Sequence, residues 1–219
     1  MSRPALVLAL VLTAVNVVLV NWSQPIFGSL WKYVMWEGGV IEDLTVVHFL
    51  LGAIVFAACA FQRSRRHVER AWLGVYAVIE LVLAGEETNY GTGTLFLDLA
   101  DPDFASHYNP QSGNIHNAVL PHALVPITIF FAICLVLRLF YAQIVPRLRL
   151  PMSQDFLEAV LLSGAFVVLM PFAMFDDRIQ SLDEVYEWSS SLLLLCLALY
   201  YRFGWVFKPQ PGDVGAAPR

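Results

Sequence analysis

The chain has 219 residues, of which 58% are hydrophobic and 14% charged, with a mean hydropathy of +0.63 and a formal net charge of −5. A soluble domain of this length carries about a quarter charged residues, so the composition excludes an ordinary soluble globule and points to an all-α, multi-pass membrane bundle of one domain. Cys59, Cys134 and Cys196 lie singly in apolar runs, which excludes a disulfide framework or a zinc knuckle.

Six apolar runs have spanning length, at approximately 4–22, 40–61, 71–88, 117–140, 156–175 and 183–203. The first, in "MSRPALVLALVLTAVNVVLVNW", is too long for a signal h-region and lacks a small-x-small cleavage site, so it reads as a retained helix. Residues 23–39 then place Ile26, Phe27, Leu30, Trp31 and Met35 at spacings that suit a short interfacial helix. The second and third runs are separated by "QRSRRHVER". Residues 88–117 form a long outer loop, and long loops without structure of their own are usually functional or disordered. A second arginine-rich break, "PRLRLP", precedes the fifth run. The six-helix domain is expected to occupy 1–208, followed by a disordered tail at 209–219.

Charge placement sets direction. With six spans, Arg3, Arg63, Arg65, Arg66, Arg70, Arg138, Arg147, Arg149, Arg202, Lys208 and Arg219 share one side, and only Lys32 and Arg178 fall on the other. The arginine side is assigned to the cytoplasm, with both termini there. Of the 18 acidic residues, only Glu69, Asp155, Glu158 and Asp213 fall on that side, a bias that the positive-inside rule does not require.

The outer layer therefore collects the ionisable groups. At about 1.5 Å per residue, Glu42 and Asp43 lie near the outer surface, and His48 lies roughly 9 Å deeper. "LAGEETNYG" puts Glu86 and Glu87 in the outer third of its helix, while Glu80 lies near the midplane and shares a face with Glu87. His122 is about a turn and a half inside the fourth run, and Glu184 and Glu187 neighbour each other at the start of the sixth. Intramembrane carboxylates are costly unless they face the bundle interior and share a proton, a cation or a base. At least one of Glu80, Glu86 and Glu87 is expected to have a raised pKa.

The candidate metal ligands are Glu42, His48, Glu86, His116, His122, Glu184 and Glu187, the metal being zinc, iron or manganese. Glu87 and Glu80 are the candidate catalytic groups. Tyr90, Asn109, Gln111, Asn114 and Asn117 would orient the site or satisfy loop backbone. Glu42, Glu184 and Glu187 suit the positive end of a helix dipole equally well. His67 sits among arginines and has no expected role, and the small residues of "SGAF" and "SSS" read as close helix packing.

"AGEETNYG" at 84–91, followed by "NPQSGNIHN" at 109–117, resembles a signature of uncharacterised bacterial multi-pass membrane proteins, G-E-E…N-x-Q-x-x-N-x-H-N. Glu37 and Glu42 before it, and Asp183, Glu184 and Glu187 after it, extend the likeness over about residues 37–190. The resemblance implies a bacterial inner-membrane location and no particular activity. The alkaline ceramidase superfamily is similar in kind, with zinc inside a helical bundle. Its histidine pair on the last helix is replaced here by Glu184 and Glu187, so its sites are not carried over.

Three functions fit these residues. A metal-dependent enzyme, hydrolase or oxidase, would act on a lipid or lipid-linked substrate at the outer leaflet. A proton- or cation-coupled transporter would use Glu80, Glu86 and Glu87. A non-catalytic subunit or receptor would have no need of the buried charge. The expected partner is membrane lipid and not nucleic acid.

Overall fold

The computed structural model describes residues 2–30, 34, 39–87, 124–169 and 179–204. Among these the chain is all-helical. The helices are α1 (Arg3–Phe27), α2 (Val40–Ala60), α3 (His67–Glu87), α4 (Leu124–Leu139), α5 (Tyr141–Leu148), α6 (Gln154–Leu169) and α7 (Ile179–Phe203). Each of the six apolar runs contains a helix among its described residues. Acidic residues open several of them, Glu42 and Asp43 in α2, Glu69 in α3 and Asp155 in α6, while Arg138 and Arg202 close α4 and α7, as the helix dipole favours. Gly28 and Gly204 stop α1 and α7 with positive φ, a conformation cheap for glycine.

Two expectations are corrected. α1 runs on to Phe27 and ends in a 3-10 turn at Gly28–Leu30, so the first part of 23–39 prolongs the first helix and does not start an interfacial one. The basic break after α4 is itself helical: α5 follows the Phe140 break, and the Ile129–Leu139 and Tyr141–Leu148 segments are bent by 97°. Arg149 ends α5 in the left-handed region, with Leu150 N–H bonded to the Val145 carbonyl at 3.0 Å.

Six independent spans are not matched by helix length and apolarity. Among the described residues only Val40–Ala60 is long and apolar enough to cross a membrane alone. The reason differs by helix. α3 carries Glu69, Arg70, Glu80, Glu86 and Glu87. α7 carries Asp183, Glu184, Glu187 and Arg202. The described parts of α4 and α6 are 16 residues each, short of the roughly 20 a bilayer needs.

α2 is the central partner, packing against both α3 and α7, while α1 packs on α6 and α7, and α4 on α6. One end of the bundle gathers the chain's described arginines. There the Ser2 backbone N–H donates to Asp155 Oδ1 at 2.9 Å, joining α1 to α6. Arg138 of α4 donates to Glu158 of α6 from Nε at 2.8 Å. Arg70 Nε reaches the Ala60 carbonyl at 2.7 Å, and Trp72 Nε1 reaches the Leu148 carbonyl at 2.8 Å. Arg65 donates to the Tyr201 carbonyl, bringing the end of α7 to the same place.

The apolar core fills this arginine-end half, with Ala5, Ala9 and Leu12 against Phe56, Leu73, Phe156, Leu157, Leu193, Leu197 and Tyr200. Cys59, Cys134 and Cys196 are free and buried there as small hydrophobes. The outer surface is also apolar. Leu6, Val7, Leu10 and Val11 of α1, Leu50, Leu51 and Ile54 of α2, and Val78, Ile79, Leu81 and Val82 of α3 are all exposed. Meanwhile Asn16, Thr45, Glu80, Ser189 and Ser191 are buried. Around Glu80 the helix turns its aliphatic side chains outward and its carboxyl inward.

Candidate functional site

The site follows from two helix registers. Phe56 of α2 packs edge to face on Tyr76 of α3, with ring centroids 5.4 Å apart. One turn on, the Glu80 carboxyl lies against Gly52. Moving back along α2 thus matches moving on along α3, so the pair is antiparallel. The same register sets Glu86 and Glu87 level with Val46 and Thr45, with Glu42 one turn beyond. α7 runs parallel to α2: His48 meets Ser191 at 3.1 Å, and Tyr201 meets the loop after α2. That register brings Glu187 level with Leu44 and Glu184 level with Ile41. Three helices therefore bring Glu42, Glu86, Glu87, Glu184 and Glu187 to one tier at the end opposite the arginines. His48 and Glu80 lie below it.

Glu80 is the most isolated of these groups. It is 1% exposed, and neither carboxyl oxygen has a hydrogen-bond partner among the described residues. The Tyr76 hydroxyl, one turn toward the arginine end, is likewise buried and without a partner among them. An unpartnered polar group in an apolar interior costs stability on the order of 1–3 kcal/mol, so a fold that keeps two of them in consecutive turns keeps them for another reason. Glu42 and Glu86 are buried, and Glu87 is partly covered. Glu86 is therefore better covered than Glu87, although the helical phase pairs Glu80 with Glu87.

His48 belongs to a second polar group. The Ser191 hydroxyl donates to the Trp188 carbonyl at 2.7 Å, so its only hydrogen is used. The 3.1 Å contact with His48 must then be donated by His48 Nδ1. This leaves Nε2 with its lone pair, suited to a base or a ligand. The same polarity argues against Ser191 as a nucleophile activated by His48, which would require Ser191 to donate to the ring. Beside it, Asn16 Nδ2 donates to Ser189 Oγ at 3.3 Å, while Asn16 Oδ1 has no partner among the described residues.

Sequence reasoning missed Asn16, Gly52, Ser189 and Ser191. Asn16 was visible as a lone amide in "TAVNVVLV" and Gly52 as a lone glycine in "HFLLGAIVF". The serines were read as packing residues only.

Tyr90, Asn109, Gln111, Asn114, His116, Asn117 and His122 lie outside the described residues, as do the outer loop and the 209–219 tail. Glu184 is placed by the backbone of α7 alone. Among the described residues no group of three His, Cys, Asp or Glu side chains is arranged to hold a metal ion. No family model, curated protein or solved structure matches the chain, so its function is argued from the chemistry of these residues.

Proposed function

We propose that this chain is a multi-pass integral membrane protein with six spans, both termini on the cytoplasmic side, and an acid/base site reached from the extracytoplasmic face. The exposed aliphatic surface around buried polar groups supports the membrane reading, because lipid, unlike water, costs such a surface nothing. The arginine end supports the orientation. The helices that fall short of spanning alone do so through the site's own carboxylates, or because only part of the run is described.

The activity we propose is enzymatic: proton transfer to or from a lipid or lipid-linked substrate that enters sideways from the outer leaflet, in hydrolysis or oxidation. The observation that carries this is Glu80, a fully buried carboxyl with no hydrogen-bond partner among the described residues. With neither donor nor cation beside it among the described residues, a proton is its natural partner, and groups of this kind cluster at functional sites. Glu87 would serve the substrate nearer the surface. A bound zinc, iron or manganese held by His48 Nε2, glutamates of the tier, His116 and His122 would polarise the substrate or activate water. The packed apolar core below Glu80 favours a one-ended chamber over a passage.

The test incubates the purified protein with extracted membrane lipid and follows product by mass spectrometry, beside metal analysis of wild type, Glu87→Ala and His116→Ala. A wild type without turnover sinks the enzyme reading, turnover that survives Glu80→Gln removes Glu80 as its acid/base group, and a wild type with no stoichiometric metal sinks the metal. The transporter reading rests on the Tyr76 hydroxyl, without a partner among the described residues, which extends the polar line one turn past Glu80. Proton flux in liposomes that disappears with Glu80→Gln would favour it.

A further inference from the structure

The geometry points to Gly52 as the positioning residue for Glu80: its missing side chain is the notch in which the carboxyl group is seated. A Cβ built at Gly52 would overlap Glu80 Oε2 and come within 2.7 Å of Cδ and 2.9 Å of Oε1. All three clashing atoms belong to the carboxyl group, so the space left by hydrogen at position 52 is the space this group occupies. Gly52 lies inside α2, where glycine costs about 1 kcal/mol relative to alanine, and α2 shows no break or positive φ at this position that would call for it. Close approach by Glu80 is the remaining reason for glycine there.

The notch also explains how the carboxyl stays inside. Glu80 has flexible torsions and a lipid-facing flank, yet its carboxyl is held between the two helices. On α2 the nearest titratable side chains along the helix are His48, one turn toward the acidic tier, and Cys59, two turns the other way. On α3 they are Tyr76 and Glu86, with Glu87 one residue further on. None of them hydrogen-bonds the carboxyl, so steric fit at Gly52 performs the positioning that polar contacts perform elsewhere. The functional meaning rests on the reading of Glu80 as the exchanging acid, whereas the notch stands on geometry alone.

Carbodiimide labelling of the full chain in membranes tests it. The carboxyl O–H adds across one C=N bond of the reagent, and the resulting O-acylisourea rearranges to a stable N-acylurea that peptide mass spectrometry locates. Nothing is oxidised and no group leaves. In wild type, Glu80 is expected to react with lipophilic dicyclohexylcarbodiimide and not with a water-soluble carbodiimide, with Glu87 as the internal reference for the second reagent. In Gly52→Ala the carboxyl is expelled toward the lipid-facing flank, and Glu80 is expected to react several-fold faster with dicyclohexylcarbodiimide while the water-soluble reagent still spares it. Gly52→Ala combined with Glu80→Ala is expected to regain the thermal stability that Gly52→Ala loses.

An unchanged rate of dicyclohexylcarbodiimide labelling at Glu80 in Gly52→Ala overturns the assignment. If Gly52→Ala does not fold, the double variant decides: recovery of folding supports the notch, and failure of both shows that glycine serves the backbone. Lipid turnover retained by Glu80→Gln would remove Glu80 as the exchanging acid while leaving this reagent pattern intact.

Discussion

His48 of α2 donates its Nδ1 hydrogen to Ser191 of α7, because the Ser191 hydroxyl has already given its own to the Trp188 carbonyl. The bond links residues far apart in sequence and selects one imidazole tautomer. Nitrogen NMR of the labelled histidine is expected to show Nδ1–H in wild type and a mixture in Ser191→Ala. Ser191→Ala should also lose roughly 0.6 kcal/mol of stability, with about 1.7 as the upper end for such interhelical bonds. An Nε2–H tautomer in wild type would contradict the bonding scheme.

Glu80 offers a separation of shape from chemistry. Glu80→Gln keeps the size of the side chain that fills the Gly52 notch, and its unfolding temperature in detergent should stay near that of wild type while turnover is lost. Glu80→Ala leaves a void facing Gly52 and should cost about 2–3 kcal/mol, at the low end for large-to-small core changes. Equal destabilisation by both would show that the charge state of Glu80, and not its volume, supports the fold.

Arg149 is the only non-glycine residue with positive φ among the described residues, at 51°. Its side chain gains nothing from that backbone, since the α5 cap is made by main-chain hydrogen bonds. Arg149→Gly is therefore expected to stabilise the protein by about 1 kcal/mol, the lower end of the left-handed penalty. A lowered unfolding temperature would reveal a role for the guanidinium that outweighs the strain.

Orientation can be read by cysteine labelling in a background lacking Cys59, Cys134 and Cys196. Single cysteines in place of Arg66 and Arg149 should resist a membrane-impermeant maleimide in intact cells and react in inverted vesicles. A cysteine in place of Gly39, at the opposite end of α2, should do the reverse. Labelling of Arg66→Cys and Gly39→Cys from the same side would end the six-span assignment.

Most of the helices were legible because apolar runs meet the arginine breaks; the end of α1 was not, since the first run stops at 22 while the helix continues to Phe27. α5 was not, since "YAQIVPRL" contains Pro146 and Arg147 and reads locally as a break. Proline is tolerated there because the last turn of so short a helix loses little with one backbone donor. The gathering of glutamates at the end opposite the arginines, with Glu80 further along α3, followed from counting residues. Glu80's isolation did not, because it depends on the register that Phe56 and Tyr76 set between α2 and α3. His48's partner was hidden for the same kind of reason: Ser191 is 143 residues away, and nothing local announces that α2 and α7 lie side by side.

α2 carries both Gly52 and His48, one helical turn apart, and touches α3 with one and α7 with the other. A rigid helix cannot reseat one contact without straining the second. Any coupling between the protonation of Glu80 and the hydrogen bonding of His48 is therefore expected to run through α2. Whatever free energy a change at Ser191 transmits to Glu80, a change at Glu80 must transmit to His48 in equal measure.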